Sequence, residues 1–291
     1  MRDDLLAGMV YIRKGELDKA AKALEQHVAK HPDSVMAHYH LGLIHMDEDR
    51  FEPARRHLAR AQAIDPLFYG AAGNLGVLYL GNNEEMAALR ALKDAVRVAP
   101  EDSRVRNNLA NVLVRRGRWF EAVTNYRLAL SRTPGHGTMM YNLALALRER
   151  HHHIEALKLI EEAVMYRPGF ALGQALRVAC LQSVGRLPEA IAVARDSIEQ
   201  MTAVAESHVV LGRALLAAGQ TAEAIEALQD AVELEPTSPV ALLALGETLD
   251  ATAKRKEASA IYRRFLKTRQ RRLDDGRRIR KRLRQIDGEA G

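Results

Sequence analysis

Apolar side chains recur along this chain at spacings of three, four and seven residues, and the pattern itself repeats every 34 residues from Met1. Positions 7, 11 and 24 of each 34-residue row are mostly Leu, Ile or Tyr. Such spacings place apolar side chains on one face of an α-helix. Position 20 is Ala in all eight rows, and position 8 is Gly or Ala in seven of them. These small residues predict that two helices approach each other closely in every row.

Turn-forming residues divide each row into two predicted helices. Pro occupies position 32 in six rows, and Gly or a polar pair such as Asn82-Asn83 interrupts the middle of a row. Because Pro cannot continue a helix and Gly weakens one, each row predicts a helix, a turn, a second helix and a second turn. The predicted fold class is all-α, with eight units at residues 1–34, 35–68, 69–102, 103–136, 137–170, 171–204, 205–238 and 239–272.

This combination of small, apolar and terminal proline positions closely resembles the tetratricopeptide repeat family over residues 1–272. The resemblance implies an α-solenoid in which antiparallel helix pairs stack into a right-handed superhelix, and the first helix of each pair lines a concave groove. One pair cannot cover its own apolar face, so neighbouring pairs must stack. Residues 273–291 predict a basic capping helix and tail, because Ile279, Leu283 and Ile286 fall on one helical face.

Composition excludes several other classes of protein. Hydrophobic residues make up 47% and charged residues 27% of the chain, which is enough for a packed core and excludes disorder. The chain starts Met1-Arg2-Asp3-Asp4 and has no apolar run long enough to span a membrane. A single cysteine, Cys180, leaves no internal disulfide and no zinc knuckle. We therefore expect a soluble, cytoplasmic protein with no transmembrane segment.

Signatures of catalysis and of cofactor binding are missing from the sequence. No Walker loop, dinucleotide glycine pattern, HExxH or G-x-S-x-G element occurs. The histidine run His151-His152-His153 falls at a predicted turn, where consecutive side chains diverge and no carboxylate or cysteine completes a metal site. We expect no enzyme activity, no cofactor and no metal site.

The most informative polar residues occupy position 6 of successive rows. Each asparagine within a helix costs a few tenths of a kcal/mol relative to alanine, so local stability does not explain them. Stacked repeats would bring them into a ladder of amides that can pair with a peptide backbone. Alternatively, they connect neighbouring repeats or record duplication of one unit. The ladder comprises His40, Asn74, Asn108 and Asn142, and the fourth row adds Asn107 and Asn111.

The asparagines at positions 74, 108 and 142 look like the ladder in the repeats of O-linked N-acetylglucosamine transferase, which implies peptide binding along the groove. Carboxylate-clamp domains of the same family offer a weaker match. Asn111 and Asn142 correspond to the asparagine pair of that clamp, but Asn107, Leu172 and Leu176 stand where its basic residues belong.

Further residues are predicted to surround this ladder. Tyr39 and Tyr141 form aromatic pockets or pack between helices. Three arginines near the groove favour an acidic or phosphorylated partner segment, or are ordinary solvated residues. They are Arg104, Arg115 and Arg148. The sequence therefore predicts a protein-binding scaffold that holds an extended segment of a partner in units 2 to 5. Self-association through the exposed ends of the array remains open.

The C-terminal end is strongly basic, although the rest of the chain is not. Residues 251–291 hold 15 Lys and Arg against 5 Asp and Glu, whereas residues 1–250 hold 28 basic and 32 acidic residues. This end could anchor an adaptor to nucleic acid or an anionic surface, keep the array soluble, or dock onto Glu206, Glu247 and Asp250. The basic residues of the predicted capping helix are Arg277, Arg278, Arg280, Lys281, Arg282 and Arg284.

Overall fold

The computed structural model describes residues 3–200, 205–268 and 273–289. These residues form 17 α-helices and contain no β-strand, which confirms the predicted all-α fold class. The helices are α1 (Asp3–Arg13), α2 (Leu17–Lys30), α3 (Val35–Asp47), α4 (Phe51–Ile64), α5 (Tyr69–Gly81), α6 (Glu85–Val98), α7 (Ser103–Arg115), α8 (Trp119–Arg132), α9 (Gly137–Glu149), α10 (His153–Tyr166), α11 (Ala171–Ser183), α12 (Leu187–Gln200), α13 (Ala205–Ala217), α14 (Thr221–Leu234), α15 (Pro239–Ala251), α16 (Arg255–Lys267) and α17 (Leu273–Glu289).

The helices belong to two compact units, Met1–Ala146 and Leu147–Gly291, and the boundary falls within α9. Consecutive helices from α1 to α8 pack against each other in the first unit, and those from α10 to α17 do so in the second. In the first unit α5 also contacts α3 and α7, and in the second unit α13 also contacts α11 and α15. Thus α3, α5 and α7 form a layer in the first unit, and α11, α13 and α15 form one in the second. No helix in the described residues is both long and apolar enough to cross a lipid bilayer.

Small residues allow the two helices of a pair to touch. Alanine at position 20 has no exposed surface in any of the eight rows. Glycine at position 8 packs against a large residue at position 24, so that a Cβ at Gly76 would lie 2.3 Å from Leu92 Cγ. A Cβ at Gly42 would likewise lie 2.6 Å from Leu58 Cγ. The glycines are therefore required by close packing.

The turn in the middle of each row has the same backbone conformation throughout. Position 15 is glycine in four rows, with φ between 69° and 79° at Gly15, Gly117, Gly185 and Gly219. The other four rows place a non-glycine residue there at φ between 55° and 62°. This left-handed region favours glycine and tolerates asparagine or aspartate. The residues that adopt it without being glycine are Asp49, Asn83, His151 and Ala253.

The last helix, α17, closes the core of the second unit. Ile279, Leu283 and Ile286 are buried in the same cluster as Tyr262 and Phe265. This apolar face is the one that the i, i+4, i+7 spacing predicts for a capping helix.

Candidate functional site

The position-6 residues lie on four first helices and are all half-buried. His40 is on α3, Asn74 on α5, Asn108 on α7 and Asn142 on α9. All four belong to the first compact unit. Their hydrogen bonds differ, however, and the differences follow from the residue at position 5 of the preceding row.

Asn142 bonds to the helix before it. Its Nδ2 donates to Asn107 Oδ1 at 3.2 Å and to Asn111 Oδ1 at 3.4 Å. Asn111 Oδ1 also accepts a hydrogen bond from the Tyr126 hydroxyl at 2.6 Å. Both hydrogens of the Asn142 amide are thereby used within the protein, so this asparagine connects α9 to α7.

Asn74 makes an equivalent connection between α5 and α3. Its Nδ2 donates to the Tyr39 hydroxyl oxygen at 3.1 Å and to the carbonyl oxygen of Gly70 at 3.0 Å. The donors of this amide are also used, whereas its Oδ1 has no hydrogen-bond partner among the described residues. Asn74 therefore offers an acceptor to a ligand.

Asn108 lacks the partner that the other two asparagines have. The residue 35 positions before it is Gly73, which has no side chain, where Asn74 finds Tyr39 and Asn142 finds Asn107. The Asn108 Oδ1 accepts a long contact of 3.5 Å from Asn107 Nδ2. Its Nδ2 has no hydrogen-bond partner within the described residues, so two donors remain for a ligand.

A surface pocket of about 310 Å³ occupies the space that Gly73 leaves. We call it the α5 pocket, because α5 supplies its floor between α3 and α7. Asn74 and Asn108 face it together, so that it presents both an amide acceptor and an amide donor. Its lining consists of Tyr39, Leu43, Tyr69, Gly70, Gly73, Asn74, Arg104, Val105 and Asn108.

Two tyrosines shape the walls of the α5 pocket. The Tyr39 ring packs edge-to-face on Phe68, with centroids 4.9 Å apart and planes at 89°. Its hydroxyl accepts the Asn74 hydrogen bond, which leaves the hydroxyl hydrogen available as a donor. Tyr69 lies near Asp102 and contributes to the lowered pKa of that carboxyl.

Arg104 lies at the rim of the α5 pocket. Its side chain is 81% exposed, and its guanidinium is 3.5 Å from Asp102 Oδ2. The Asp102 Oδ1 caps α7 by accepting hydrogen bonds from the backbone N–H groups of Arg104 and Val105. Burial alone would raise the pKa of Asp102, but the Val105 N–H and the Arg104 charge hold that pKa below its ordinary value. Asp102 is therefore ionised and internally paired.

The remaining predicted groove residues lie outside the α5 pocket. His40 Nε2 is shielded from solvent without a hydrogen-bond partner in the described residues, and burial lowers the His40 pKa. Arg115 donates to the Leu80 carbonyl oxygen at 2.8 Å and to Asn83 Oδ1 at 3.2 Å, which ties α7 to the turn after α5. Tyr141 is half-buried on α9. In the second unit, Arg148 lies 2.8 Å from Glu149.

Sequence reasoning did not identify the glycines of α5 as part of a site. Gly70 and Gly73 occupy positions 2 and 5 of their row, where the other rows carry side chains. Each glycine inside a helix lowers helix stability by about 1 kcal/mol relative to alanine. Two such residues on one helical face therefore indicate that their side chains are missing for a functional reason. Unlike Gly76, Gly73 is not required by packing, because a Cβ there would meet only Val105 Cγ2 at 3.5 Å.

The basic residues of α17 divide into two groups. Arg278 pairs with Glu247 at 2.6 Å, and Arg282 binds both oxygens of Asp250 at 2.7 and 2.8 Å. These two arginines therefore dock onto α15, which is one of the three interpretations of the basic end. The other four basic side chains of the helix are exposed, namely Arg277, Arg280, Lys281 and Arg284.

His38, His45 and Cys180 are buried. His38 Nδ1 is 3.0 Å from His57 Nδ1, and His38 Nε2 is 3.1 Å from the Pro32 carbonyl oxygen. Burial raises the pKa of the Cys180 thiol to about 11. No group of three or more histidine, cysteine or carboxylate side chains suited to a metal ion occurs in the described residues.

Comparison with known proteins identifies the repeat family of this architecture. Three models of the tetratricopeptide repeat match the chain at residues 5–67, 102–164 and 215–283. Together these matches span more than half of the sequence. No curated protein sequence matches the chain.

Solved structures show the same fold at low sequence identity. A tetratricopeptide repeat protein from Parabacteroides merdae superposes with a TM-score of 0.73 at 14% identity, covering 90% of this chain and 98% of that one. The Pseudomonas aeruginosa protein pilF gives 0.62 at 20% identity, covering 75% and 97%. YrrB, described as a tetratricopeptide repeat protein with an unusual peptide-binding site, gives 0.52 at 22% identity, covering 64% and 95%. These similarities confirm the helical-repeat solenoid as the fold class.

Proposed function

Because the chain belongs to the tetratricopeptide repeat family, we propose that it is a protein-binding scaffold whose first unit holds an extended segment of a partner. The binding surface in this proposal is the layer formed by α3, α5 and α7, with the α5 pocket at its centre. The scaffold role is the general one for this fold. The placement of the partner on these three helices is the specific part of the proposal.

The proposal is supported most strongly by the Nδ2 group of Asn108, which has no hydrogen-bond partner among the described residues. Exposing two unused N–H donors inside a helix brings no local stability, and asparagine is a poorer helix former than alanine. Beside it, Asn74 Oδ1 is an unused acceptor. A peptide backbone offers a C=O group and an N–H group at each residue, so it can satisfy both amides with little dependence on its side chains.

The rest of the ladder supports this arrangement without contacting the partner. Asn142 is bonded to Asn107 and Asn111, and Asn74 donates to Tyr39. These bonds hold neighbouring first helices in register, which fixes the positions of the groups that remain unpaired. Rigid support of this kind reduces the entropy lost on binding. YrrB, with its named peptide-binding site, is a precedent for this use of the fold.

Affinity purification with matched variants tests the proposal. Wild-type protein, Asn108→Ala and Gly73→Leu would each be used to capture proteins from the native cell extract at moderate salt with nuclease present. Asn108→Ala removes the unpaired donors, and Gly73→Leu fills the α5 pocket. Arg97→Gln is the control, because Arg97 is 78% exposed and lies outside the pocket lining.

Circular dichroism must first show equal helicity for all four proteins. Specific partners that are captured by wild type and by Arg97→Gln, but lost with Asn108→Ala and Gly73→Leu, are the expected result. Recovery of the same partners with all four proteins would place the binding surface elsewhere on the chain.

A further inference from the structure

We propose that the α5 pocket binds the carboxylate of an aspartate or glutamate side chain of the bound segment. The inference rests on the proposed function, since it assigns a side chain to a segment that the groove holds by its backbone. It goes further by naming the chemistry of the residue that the partner must place opposite Gly73.

Hydrogen-bond donors dominate the polar groups of the pocket. The Asn108 Nδ2 hydrogens are unpaired, and the Tyr39 hydroxyl, which accepts from Asn74, retains its own hydrogen as a donor. Arg104 adds a guanidinium at the rim. A carboxylate is an acceptor-only group with two oxygens, so it can use donors from three directions at once. An ammonium group carries donors only, so it cannot use these donors, and the Arg104 charge would repel it.

The charge of the pocket also favours a singly charged anion. Arg104 is the only charged residue in its lining, and no carboxylate lines it. The neighbouring Asp102 has its Oδ1 on two backbone N–H groups and its Oδ2 on Arg104. The Arg104 side chain is 81% exposed and its contact with Asp102 is long, at 3.5 Å, so the guanidinium can also reach a ligand. One cation matches one carboxylate, whereas a phosphate at neutral pH carries nearly two charges.

The depth of the pocket comes from the two glycines. Gly70 and Gly73 remove side chains at positions 2 and 5 of one row, and Val105 lies behind Gly73 as a buried apolar wall. A carboxylate that enters this recess is shielded from water, which strengthens its charge-assisted hydrogen bonds to the pocket donors. The methylene groups of an acidic side chain would lie against Val105 and Leu43.

Small probes of equal length test this chemistry directly on the full chain. Propionate represents an acidic side chain, propionamide a neutral one and n-propylammonium a basic one, and methyl phosphate represents a phosphorylated residue. Each probe would be titrated while the backbone resonances of Gly70 and Gly73 and the side-chain amide resonances of Asn108 are followed by two-dimensional NMR. Propionate should shift these resonances saturably, with an affinity about tenfold above that of propionamide.

Matched variants assign the binding to the pocket. Arg104→Gln should weaken propionate binding about tenfold while leaving the fold intact, since that side chain is 81% exposed. Gly73→Leu should abolish binding by filling the recess, and Arg97→Gln should leave it unchanged. Equal responses to propionate and propionamide, tighter binding of methyl phosphate, or insensitivity to Arg104→Gln would each overturn the inference.

This test separates the inference from the function on which it rests. In one outcome, capture of the partners depends on Asn108 and Gly73, but propionate does not bind the pocket. That outcome would support the peptide groove and refute binding of an acidic side chain. In the other outcome, propionate binds the pocket, but capture of the partners does not depend on Asn108 or Gly73. That outcome would identify a carboxylate site and refute the peptide groove.

Discussion

Asn108 faces the same pocket as Gly73, and the missing side chain of Gly73 is the reason that the Asn108 Nδ2 donors have no partner among the described residues. In the rows before and after, the corresponding contacts join Asn74 to Tyr39 and Asn142 to Asn107. The three asparagines therefore have unequal roles. Two connect helices, and one is left available to a ligand.

This difference predicts unequal effects of alanine substitution on the free energy of unfolding. Asn142→Ala removes two hydrogen bonds and leaves Asn107 Oδ1 without its donor, whereas Asn111 Oδ1 keeps Tyr126. We expect a loss of about 1–2 kcal/mol in the free energy of unfolding. Asn108→Ala removes no donated hydrogen bond and improves helix propensity, so its effect should stay within about 0.5 kcal/mol. Urea unfolding followed by circular dichroism measures both changes. Equal losses would show that Asn108 also stabilises the fold.

Two glycines three residues apart on α5 should differ in their tolerance of a methyl group. A Cβ at Gly76 would lie 2.3 Å from Leu92 Cγ, so Gly76→Ala should destabilise the protein by about 1–3 kcal/mol. A Cβ at Gly73 would make only an ordinary contact with Val105, so Gly73→Ala should be neutral or stabilising by up to about 1 kcal/mol. Thermal unfolding of the two variants distinguishes these outcomes. A destabilised Gly73→Ala would mean that the pocket floor is already filled.

The mid-row turns provide a substitution of predictable sign in the second unit. Ala253 adopts φ of 59°, where a Cβ is strained, so Ala253→Gly should stabilise the protein by about 1 kcal/mol. Gly219 occupies the same position one row earlier with φ of 77°, so Gly219→Ala should destabilise by a similar amount. Denaturation midpoints of both variants check the prediction. Shifts in the same direction would contradict the strain argument.

The histidine cluster of the second row should make the protein sensitive to acid. Burial, together with the charges of His38, His45 and Arg56, lowers the pKa of His57 from 6.5 to about 4. The folded state therefore disfavours the protonated ring, whereas the unfolded chain binds the proton below pH 6.5. This contribution to stability is fully present above pH 6.5 and is lost as the pH falls toward 4, by an amount on the order of 3 kcal/mol.

Urea unfolding between pH 7.5 and 4 measures this loss. His57→Gln should reduce the pH dependence in that window, while substitution of the exposed His152 by glutamine should leave it unchanged. An unchanged slope with His57→Gln would assign the acid sensitivity to other groups.

The pairing of α17 with α15 predicts a measurable coupling. Arg282 binds both oxygens of Asp250, whose side chain is only 13% exposed, and the Arg282 hydrogen bond holds the pKa of that carboxyl below its ordinary value. A double-mutant cycle of Arg282→Gln with Asp250→Asn should give a coupling of about 1–2 kcal/mol. Arg280→Gln with Asp250→Asn is the control pair. No coupling between Arg282 and Asp250 would mean that the apolar face of α17 alone holds it.

The sequence predicted most of the fold, because its information is local and repeated. Helix faces, small contact positions and proline stops recur in each row, so the all-α class and the repeat family could be recognised without a structure. The roles of the individual asparagines could not be predicted in the same way. Each depends on a residue about one row away and on which helices touch, as the contrast between Tyr39 and Gly73 illustrates. The ion pairs of α17 also depend on how one helix faces another.

Reversible blocking of the α5 pocket gives the most direct test of the central claim. Gly73→Cys places a thiol in the pocket, and the native Cys180 is buried with a raised pKa, so a thiol-specific methanethiosulfonate reagent should modify the new cysteine selectively. The same protein is then compared before blocking, after blocking and after reduction. Arg97→Cys is the control for an exposed position outside the pocket.

The account predicts that blocking Gly73→Cys abolishes capture of the partner, that reduction restores it, and that blocking Arg97→Cys has no effect. Undiminished capture by the blocked Gly73→Cys protein would contradict it.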